Sequence, residues 1–544
     1  MFSFRMPWLQ SDAGGNAAAT GRCGLPVAPR ISVVINTLNR AEHLDRTLSS
    51  LHQLRYPNFE VVVVQGPCTD STEDILKRHA GSIRVGHCPQ PNLSMSRNIG
   101  IAMAKGDIVA FVDDDAVPEP DWLDRLIAGF NDPKVAAVGG FIRNPDGISF
   151  QYRFVIADRF GNASRPRLGA RRQASGRFTS PTGTNIAIRR DALLKIGGFD
   201  EHYAYFLDET DVNVRLVDAG FGLVIAPQAE VHHKFAPNDV RAADRVPRSL
   251  YLIARSKSYF CWRNAISLHG ERRVREYIAA YRNRRQNVVR TMFDKNRIDG
   301  ETRDRLIAEI ARGVEDGTRA ARSNAARVLI SETLLETHAP DPYRRFPQPL
   351  PLAERMRICI VATAYPPHGN DLLGRWTQDF ATQMAMRGHE ITVIFQSADQ
   401  PAKVDFAEGV WLHAVAAPRL TSAAVAAEIA RIQPRRAFQI VCRPVLDHGG
   451  AMWLRCIRLS LTGALDPALL RRDPLSLWGH WRTVAMNRVL RASRTLARSI
   501  MPLFRMSAPN PQLSLSGIPA TGDSAEFRHL PCERHFAALL SQDG

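Results

Sequence analysis

From Ile31 to Val112 the chain alternates short apolar runs with stretches whose apolar residues recur at helical spacing, and this alternation constrains the fold more than any other feature. Ile31 to Ile35 is a run of strand type, and Leu44, Leu48 and Leu51 then fall on one face of a helix. Phe59 to Val64 is a second strand, and Asp70-Ser71 suits the start of a helix through Leu76. Ile83 to Val85, Ser96 to Ala104 and Ile108 to Val112 continue as strand, helix and strand. Strands joined by crossover helices of this length predict an α/β fold with a parallel, doubly wound sheet. Such sheets bind ligands at the carboxyl ends of their strands.

Three of those ends carry polar groups: Asn36-Thr37-Leu38-Asn39-Arg40, Gln65 to Asp70, and the triplet Asp113-Asp114-Asp115. In this fold they share one crevice. Carboxylates are hard oxygen ligands suited to Mg²⁺ or Mn²⁺, ions that usually complete their coordination on substrate phosphates. Acidic clusters followed by prolines, here Pro118 and Pro120, also serve as plain strand-to-helix turns that cap the next helix. The triplet alone does not decide between the two.

At 544 residues the chain is too long for a single core. Its 45% hydrophobic and 23% charged residues describe a globular protein, without an apolar stretch of membrane-spanning length or the pattern of a signal peptide. A cytoplasmic location is therefore expected. The eight cysteines lack the paired spacing of a zinc site or a disulfide framework and read as thiols in a reducing compartment. The net charge of +17 is mostly arginine, dense from Arg241 to Arg322. Without interleaved aromatic platforms these arginines do not predict nucleic-acid binding. They describe a solvated helical face or a peripheral contact with the inner membrane surface.

Several runs together resemble the family 2 glycosyltransferases, the inverting group with the nucleotide-sugar-binding GT-A fold, over roughly residues 30 to 265. Val33 to Arg40 is similar to the family's opening strand and nucleotide loop, and Thr69-Asp70-Ser71-Thr72 to the turn whose Asp meets the base. Gln65-Gly66-Pro67-Cys68 departs from the usual acidic lead-in. Ser96-Arg97-Asn98-Ile99-Gly100, then Gly106-Asp107 and Phe111 to Asp115, resemble the approach to the family's Asp-x-Asp motif. Thr182-Gly183-Thr184-Asn185, Arg189 and Gly197 to Glu201 match the acceptor side. Asp208-Glu209-Thr210-Asp211, followed by Arg215, takes the place of the Glu-Asp-x-Asp motif.

The resemblance implies substrate contacts from Asn36, Thr37, Asn39, Arg40, Asp70, Arg97, Asn98, Asp113, Thr184, Asn185 and Asp211. It implies a divalent metal, Mn²⁺ or Mg²⁺, held by Asp115 and Asp113, and a distal histidine that is either His232 or His233, because the local pattern permits both strand registers. It implies a general base at Glu209, with Asp208 the alternative; capping of the helix from Val212 to Ala219 also explains Asp208. Arg255, Lys257 and Arg263 are within reach of a diphosphate on this reading, or belong to a solvated basic face.

The expected activity is transfer of one sugar from a nucleoside-diphosphate sugar to a glycan or lipid-linked acceptor in surface polysaccharide assembly, in the cytoplasm or on the cytoplasmic face of the membrane. The Gln-x-x-Arg-Trp signature of processive synthases is absent from the chain. Two rivals are a catalytically inactive nucleotide- or glycan-binding scaffold, which intact acidic groups at both positions oppose, and a nucleotidyltransferase. The latter would want a glycine-rich loop where Thr37-Leu38-Asn39-Arg40 stands.

The expected organisation is a disordered arm at 1–28, a GT-A domain at 29–265, an Arg-rich helical region and linker at 266–352, a second α/β unit at 353–455 and a poorly defined tail at 456–544. Met356 to Val361, Tyr365-Pro366-Pro367, Gly374-Arg375-Trp376 and Arg387 to Val393 resemble the opening of family 4 glycosyltransferases, whose fold is GT-B. The usual Gly-Gly is replaced by Asp371-Leu372-Leu373, and the nucleotide-binding half of that family has no counterpart. An incomplete Rossmann-like unit without its own transferase activity is expected. The arginine-rich, lysine-free tail reads as a diverged segment, a disordered extension or the translation of a shifted frame.

Overall fold

The computed structural model describes residues 28–458, apart from 165–175, five positions between 238 and 245, and the short stretches 324–325, 368–370, 398–399, 418–419 and 447–451. The expected disordered arm, except Ala28, and the tail beyond Arg458 lie outside the described residues.

The first strands and helices are β1 (Ile31–Thr37), α1 (Ala41–Leu51), β2 (Phe59–Gln65), α2 (Thr72–His79), β3 (Arg84–His87), α3 (Leu93–Met103), β4 (Ile108–Val112), β5 (Ala116–Pro118) and α4 (Trp122–Ile127). There follow β6 (Val135–Arg143), the short strands β7 (Phe150–Tyr152), β8 (Ile156–Ala157), β9 (Ala163–Ser164) and β10 (Phe178–Thr179), then β11 (Asn185–Arg189), α5 (Arg190–Lys195), α6 (Asp208–Asp218) and β12 (Gly222–His233). One sheet takes the order β3-β2-β1-β4-β11-β6-β12-β5, with β7 paired to β6.

β1, β2, β3 and β4 are parallel, as the alternation predicts. Their residues are apolar on both faces because helices cover both sides, and β2 and β4 are buried throughout. The sheet is mixed rather than wholly parallel, however: β11 runs antiparallel between β4 and β6, and β5 antiparallel to β12. No crossover helix separates β4 from β5, which follows the Asp triplet directly, so the helix-per-strand rhythm ends at the triplet. The register sets Thr37 beside Gln65 and Val34 beside Phe111, so the loops after β1, β2 and β4 open on one edge.

Next come α7 (Tyr251–Asn264), α8 (Ile266–Asp294), α9 (Gly300–Arg322) and α10 (Glu332–His338). The first of these helices shares a core with the next two, through Ala254, Cys261, Val274, Ile278, Leu306 and Ile310. Gly313 and Gly317 bring α9 against the α7 backbone: a Cβ on either would stand 2.5 Å from Tyr251 O or 2.2 Å from Arg255 O. The proline-rich stretch is anchored by Phe346, fully buried and stacked on Phe59 at 5.3 Å between ring centres.

The second unit comprises β13 (Arg357–Ala362), α11 (Leu372–Met386), β14 (Glu390–Ser397), β15 (Lys403–Ala407), β16 (Val410–Ala416), α12 (Ser422–Arg436), β17 (Ile440–Leu446) and β18 (Met452–Arg458). Its sheet, β15-β16-β14-β13-β17-β18, has four parallel central strands with an antiparallel strand at each edge. β18 crosses the expected boundary at 455. Cys442 of β17 is disulfide-bonded, so the expectation of thiols throughout fails at that position.

Candidate active site

The run Ile108 to Val112 drives β4 into the core, and the chain leaves its carboxyl end as Asp113-Asp114-Asp115. The three side chains diverge. Asp113 is partly exposed in the cleft and accepts a hydrogen bond from Thr184 Oγ1 at 2.6 Å. Asp114 is buried and accepts from Arg40 Nη1 at 2.8 Å. Burial pushes its carboxyl up to about 6, with Arg40 opposing the rise. Asp115 is buried beside His233, whose Nε2 lies 3.1 Å from Asp115 Oδ1 and 3.8 Å from Asp113 Oδ2. Burial alone would raise Asp115; His233, Arg40 and the Ala236 amide instead hold it well below the usual carboxylate range.

Asp113, Asp115 and His233 each offer one ligand atom, all within 4.8 Å of one another. Two details fit a cation there. Asp115 Oδ1 is buried and, among the described residues, meets only the His233 ring nitrogen. His233 Nδ1 lies 2.9 Å from Gln151 Oε1, which can only accept, so Nδ1 carries a proton and Nε2 is the ring nitrogen turned to the carboxylates. Metal-binding histidines are usually oriented in this way.

His232 is not brought to the carboxylates. Its Nε2 lies 2.8 Å from Glu119 Oε1 and its ring packs on Trp411 of the second unit. The sequence pattern leaves the register open because β12 runs on to His233 through an irregularity between Ala226 and Glu230. That bulge decides which histidine faces the cleft.

A second acidic group stands at the start of α6. Phe206 and Leu207 precede it with φ of 74° and 64°, a left-handed pair of non-glycine residues. Such backbone is costly and concentrates at functional sites. Asp208 is the first residue of α6, with Leu207 in the cap position, and is buried in an ion pair with Arg97. Burial, with the charge of Asp208 second, pushes the neighbouring Glu209 carboxyl up to about 8. Arg97 is itself buried between the Phe111 and Phe199 rings, and its other nitrogen reaches to 3.9 Å from Asp113 Oδ1. One guanidinium thus spans both acidic groups.

The family described as "Glycosyl transferase family 2" matches residues 32–197, which hold the Asp triplet and Arg97. A glucosyl-dolichyl phosphate glucuronosyltransferase of Haloferax volcanii is 30% identical over 222 residues, covering 38% of this chain and 69% of that protein. The chain belongs to glycosyl transferase family 2. The O-antigen biosynthesis protein RfbC of Myxococcus xanthus is 28% identical over 243 residues, covering 42% of this chain but only 19% of that protein. A solved mannosyltransferase from Pyrobaculum calidifontis, in complex with GDP-Man and Mn²⁺, aligns at 17% identity and a TM-score of 0.30 over 57% of this chain and 79% of its own.

The remaining residues of this family 2 transferase divide into those at the cleft and those beneath it. Asn36 donates to Ser96 Oγ at 2.6 Å, Thr37 is buried at the end of β1, and Asn39 has φ of 54° and accepts from the Thr69 amide at 2.7 Å. Asp70 accepts from the Ala41 and Thr72 amides, tying the starts of α1 and α2 together. Against the opposing effect of burial, the Thr72 hydroxyl and then these amides lower its carboxyl. Asn98, Asn185 and Asp211 lie underneath: Asn98 pairs with the Phe199 backbone, Asn185 bonds Trp122, Phe141 and Ala229, and Asp211 meets Arg215, Asn264 and Arg327. Arg189 is buried and donates to Val135 O. Lys257 points to Phe160 O, Arg255 to His202 O, and Arg263 lies over Tyr259.

Gln151 and Arg327 are absent from the sequence reading because neither stands in a motif. Gln151 reaches the site through His233 Nδ1, whereas Arg327 pairs with the buried Asp200 and Asp211 beneath it.

Proposed function

We propose that this transferase moves a single sugar from a nucleoside-diphosphate sugar to a glycan or lipid-linked acceptor, inverting the anomeric centre. The observation that carries the reading is the span of Arg97, which puts Asp113 of the metal-type triad and Asp208 beside Glu209 within reach of one guanidinium. Asp113, Asp115 and His233 would hold Mn²⁺ or Mg²⁺, which when bound neutralises charge on the departing diphosphate. The loops bearing Asn36, Thr37, Asn39, Arg40 and Asp70 form the donor end of the cleft. Glu209 takes the proton of the acceptor hydroxyl as that oxygen attacks the sugar, and its raised affinity for protons suits a base working near neutrality. Asp208, engaged with Arg97, orients rather than abstracts. Attack opposite the leaving group inverts the centre without a covalent intermediate.

The dolichyl phosphate named for the Haloferax relative supports a lipid-linked acceptor, and the O-antigen role named for the Myxococcus relative supports surface polysaccharide assembly. We place the reaction on the cytoplasmic face of a membrane. Among the described residues no helix is long and apolar enough to cross one, and the exposed arginines of α8, Arg272 and Arg273 among them, suit peripheral contact with anionic lipid.

Turnover of a panel of nucleotide sugars with Mn²⁺ tests the proposal. Glu209→Gln is expected to lower kcat by about 10²- to 10⁴-fold, and Asp115→Asn to abolish the response to Mn²⁺. Full activity in Glu209→Gln would remove Glu209 as the base. A product that keeps the donor's anomeric configuration by NMR would overturn inversion.

A further inference from the structure

The strand that carries His233 is engaged from behind by the second unit, residue by alternate residue. Side chains on a strand point to opposite sides in turn. Glu230, His232 and Lys234 therefore share a direction, and each meets a partner from the second unit. Glu230 pairs with Arg435, His232 packs on Trp411 with ring centres 5.0 Å apart, and the buried Lys234 Nζ lies 2.8 Å from Asp405 Oδ1. The intervening His233 faces Asp115.

The same partners reach β5, the strand that runs antiparallel to β12 directly after the Asp triplet. Arg436 lies 3.7 Å above the Trp411 ring and binds Glu119 at 3.0 Å, and Glu119 also meets His232. Val117 of β5 is packed in a closed apolar cluster with Val404, Phe406 and Trp411. The backbone completes the frame: Lys234 N donates to Asp115 O at 2.9 Å and Glu119 N to Glu230 O at 3.1 Å. Buried ion pairs add little net stability because desolvation offsets their attraction, but they penalise misplacement strongly. Their effect here is on strand position.

We propose that the second unit is a positioning element for the metal site, in which Asp405, Trp411 and Arg436 hold β12 and β5 so that His233 and Asp115 converge. The inference rests on reading Asp113, Asp115 and His233 as the metal ligands. It assigns the second unit no chemistry of its own. None of its three residues touches the candidate ligands; each acts through Lys234, His232 or Glu119.

The test is Mn²⁺ binding to the full-length protein, followed by electron paramagnetic resonance of free Mn²⁺, with thermal melting to confirm folding. Asp405→Asn and Trp411→Phe are expected to raise the Mn²⁺ dissociation constant by about 10- to 100-fold, as loss of a residue supporting a ligand commonly does. Arg55→Met is the comparison. Arg55 clamps the same unit through Glu390 and the backbone carbonyls of Arg435 and Arg436, and makes no bond to the side chains of Asp405, Trp411 or Arg436. It should lower the melting temperature and change Mn²⁺ affinity by less than about twofold, well short of the effect of losing a ligand-supporting contact. If Asp405→Asn and Trp411→Phe bind Mn²⁺ like the wild type while His233→Ala loses it, the positioning role is overturned and the metal site stands. Equal weakening in Arg55→Met would also overturn it, since loose docking would then suffice as the cause. Wild-type Mn²⁺ binding in His233→Ala would remove the metal reading and the inference with it.

Discussion

At the scale of single residues, Arg97 is the group on which the candidate site turns. It has room for its guanidinium because residue 183 is glycine: a Cβ there would stand 2.6 Å from Arg97 Nη2. Gly183→Ala should displace the guanidinium and lower kcat on the order of 10²-fold, the cost of a misplacement of about 1 Å, while circular dichroism stays unchanged. Wild-type kcat would show that the span of Arg97 is dispensable. Glu209 makes a second prediction. Its carboxyl is raised to about 8, and a base acts only when deprotonated, so kcat/KM should climb with pH and level off above about 8. A profile already flat at pH 6 would exclude that assignment.

At the scale of elements, α3 places Arg97 and Asn98, and its start is fastened by Asn92. The Asn92 side chain accepts from Met95 N at 3.1 Å and donates to Glu201 O at 2.8 Å. Asn92→Ala should cost about 1 kcal/mol for the cap, seen as a lower melting temperature; an unchanged one would mean that the cap contributes nothing. The four parallel strands and three helices up to β4 are legible in the sequence because each alone satisfies a periodicity of 2 or 3.6 or a continuous apolar run. The antiparallel insertion of β11 is not, since strand direction within a sheet leaves no local trace. Nor is the bulge in β12, where Pro227 and Gln228 interrupt the pattern and shift the register by which His233, not His232, reaches Asp115.

At the scale of the whole molecule, the second unit is joined to the first by matched charges, and its buried histidines make stability depend on pH. His389 is fully buried; burial, reinforced by Arg355 and Arg387, lowers it from 6.5 to about 4. Above 6.5 the ring is neutral whether folded or not. Between 6.5 and 4 the unfolded chain takes up a proton that the folded ring excludes, so stability falls as pH falls, by up to about 3 kcal/mol at this position. The melting temperature should drop between pH 7 and pH 5, and His389→Gln should flatten that slope. An equal slope in the variant would assign the loss to other groups.

By itself the sequence determined the α/β class, the order of the acidic motifs and the kind of chemistry that their side chains permit, because those depend on residue type and on spacing along a single segment. It did not determine the division of labour. Tertiary structure turned Asp114 toward Arg40 and Asp115 toward His233, enclosed Asn98, Asn185 and Asp211 beneath the cleft, and brought Trp411 and Asp405 behind the strand that carries His233. The physical reason is that these outcomes follow from contacts between segments far apart in the chain. Such contacts are set by sheet register and by the packing of one unit on the other, and neither leaves a local pattern to read.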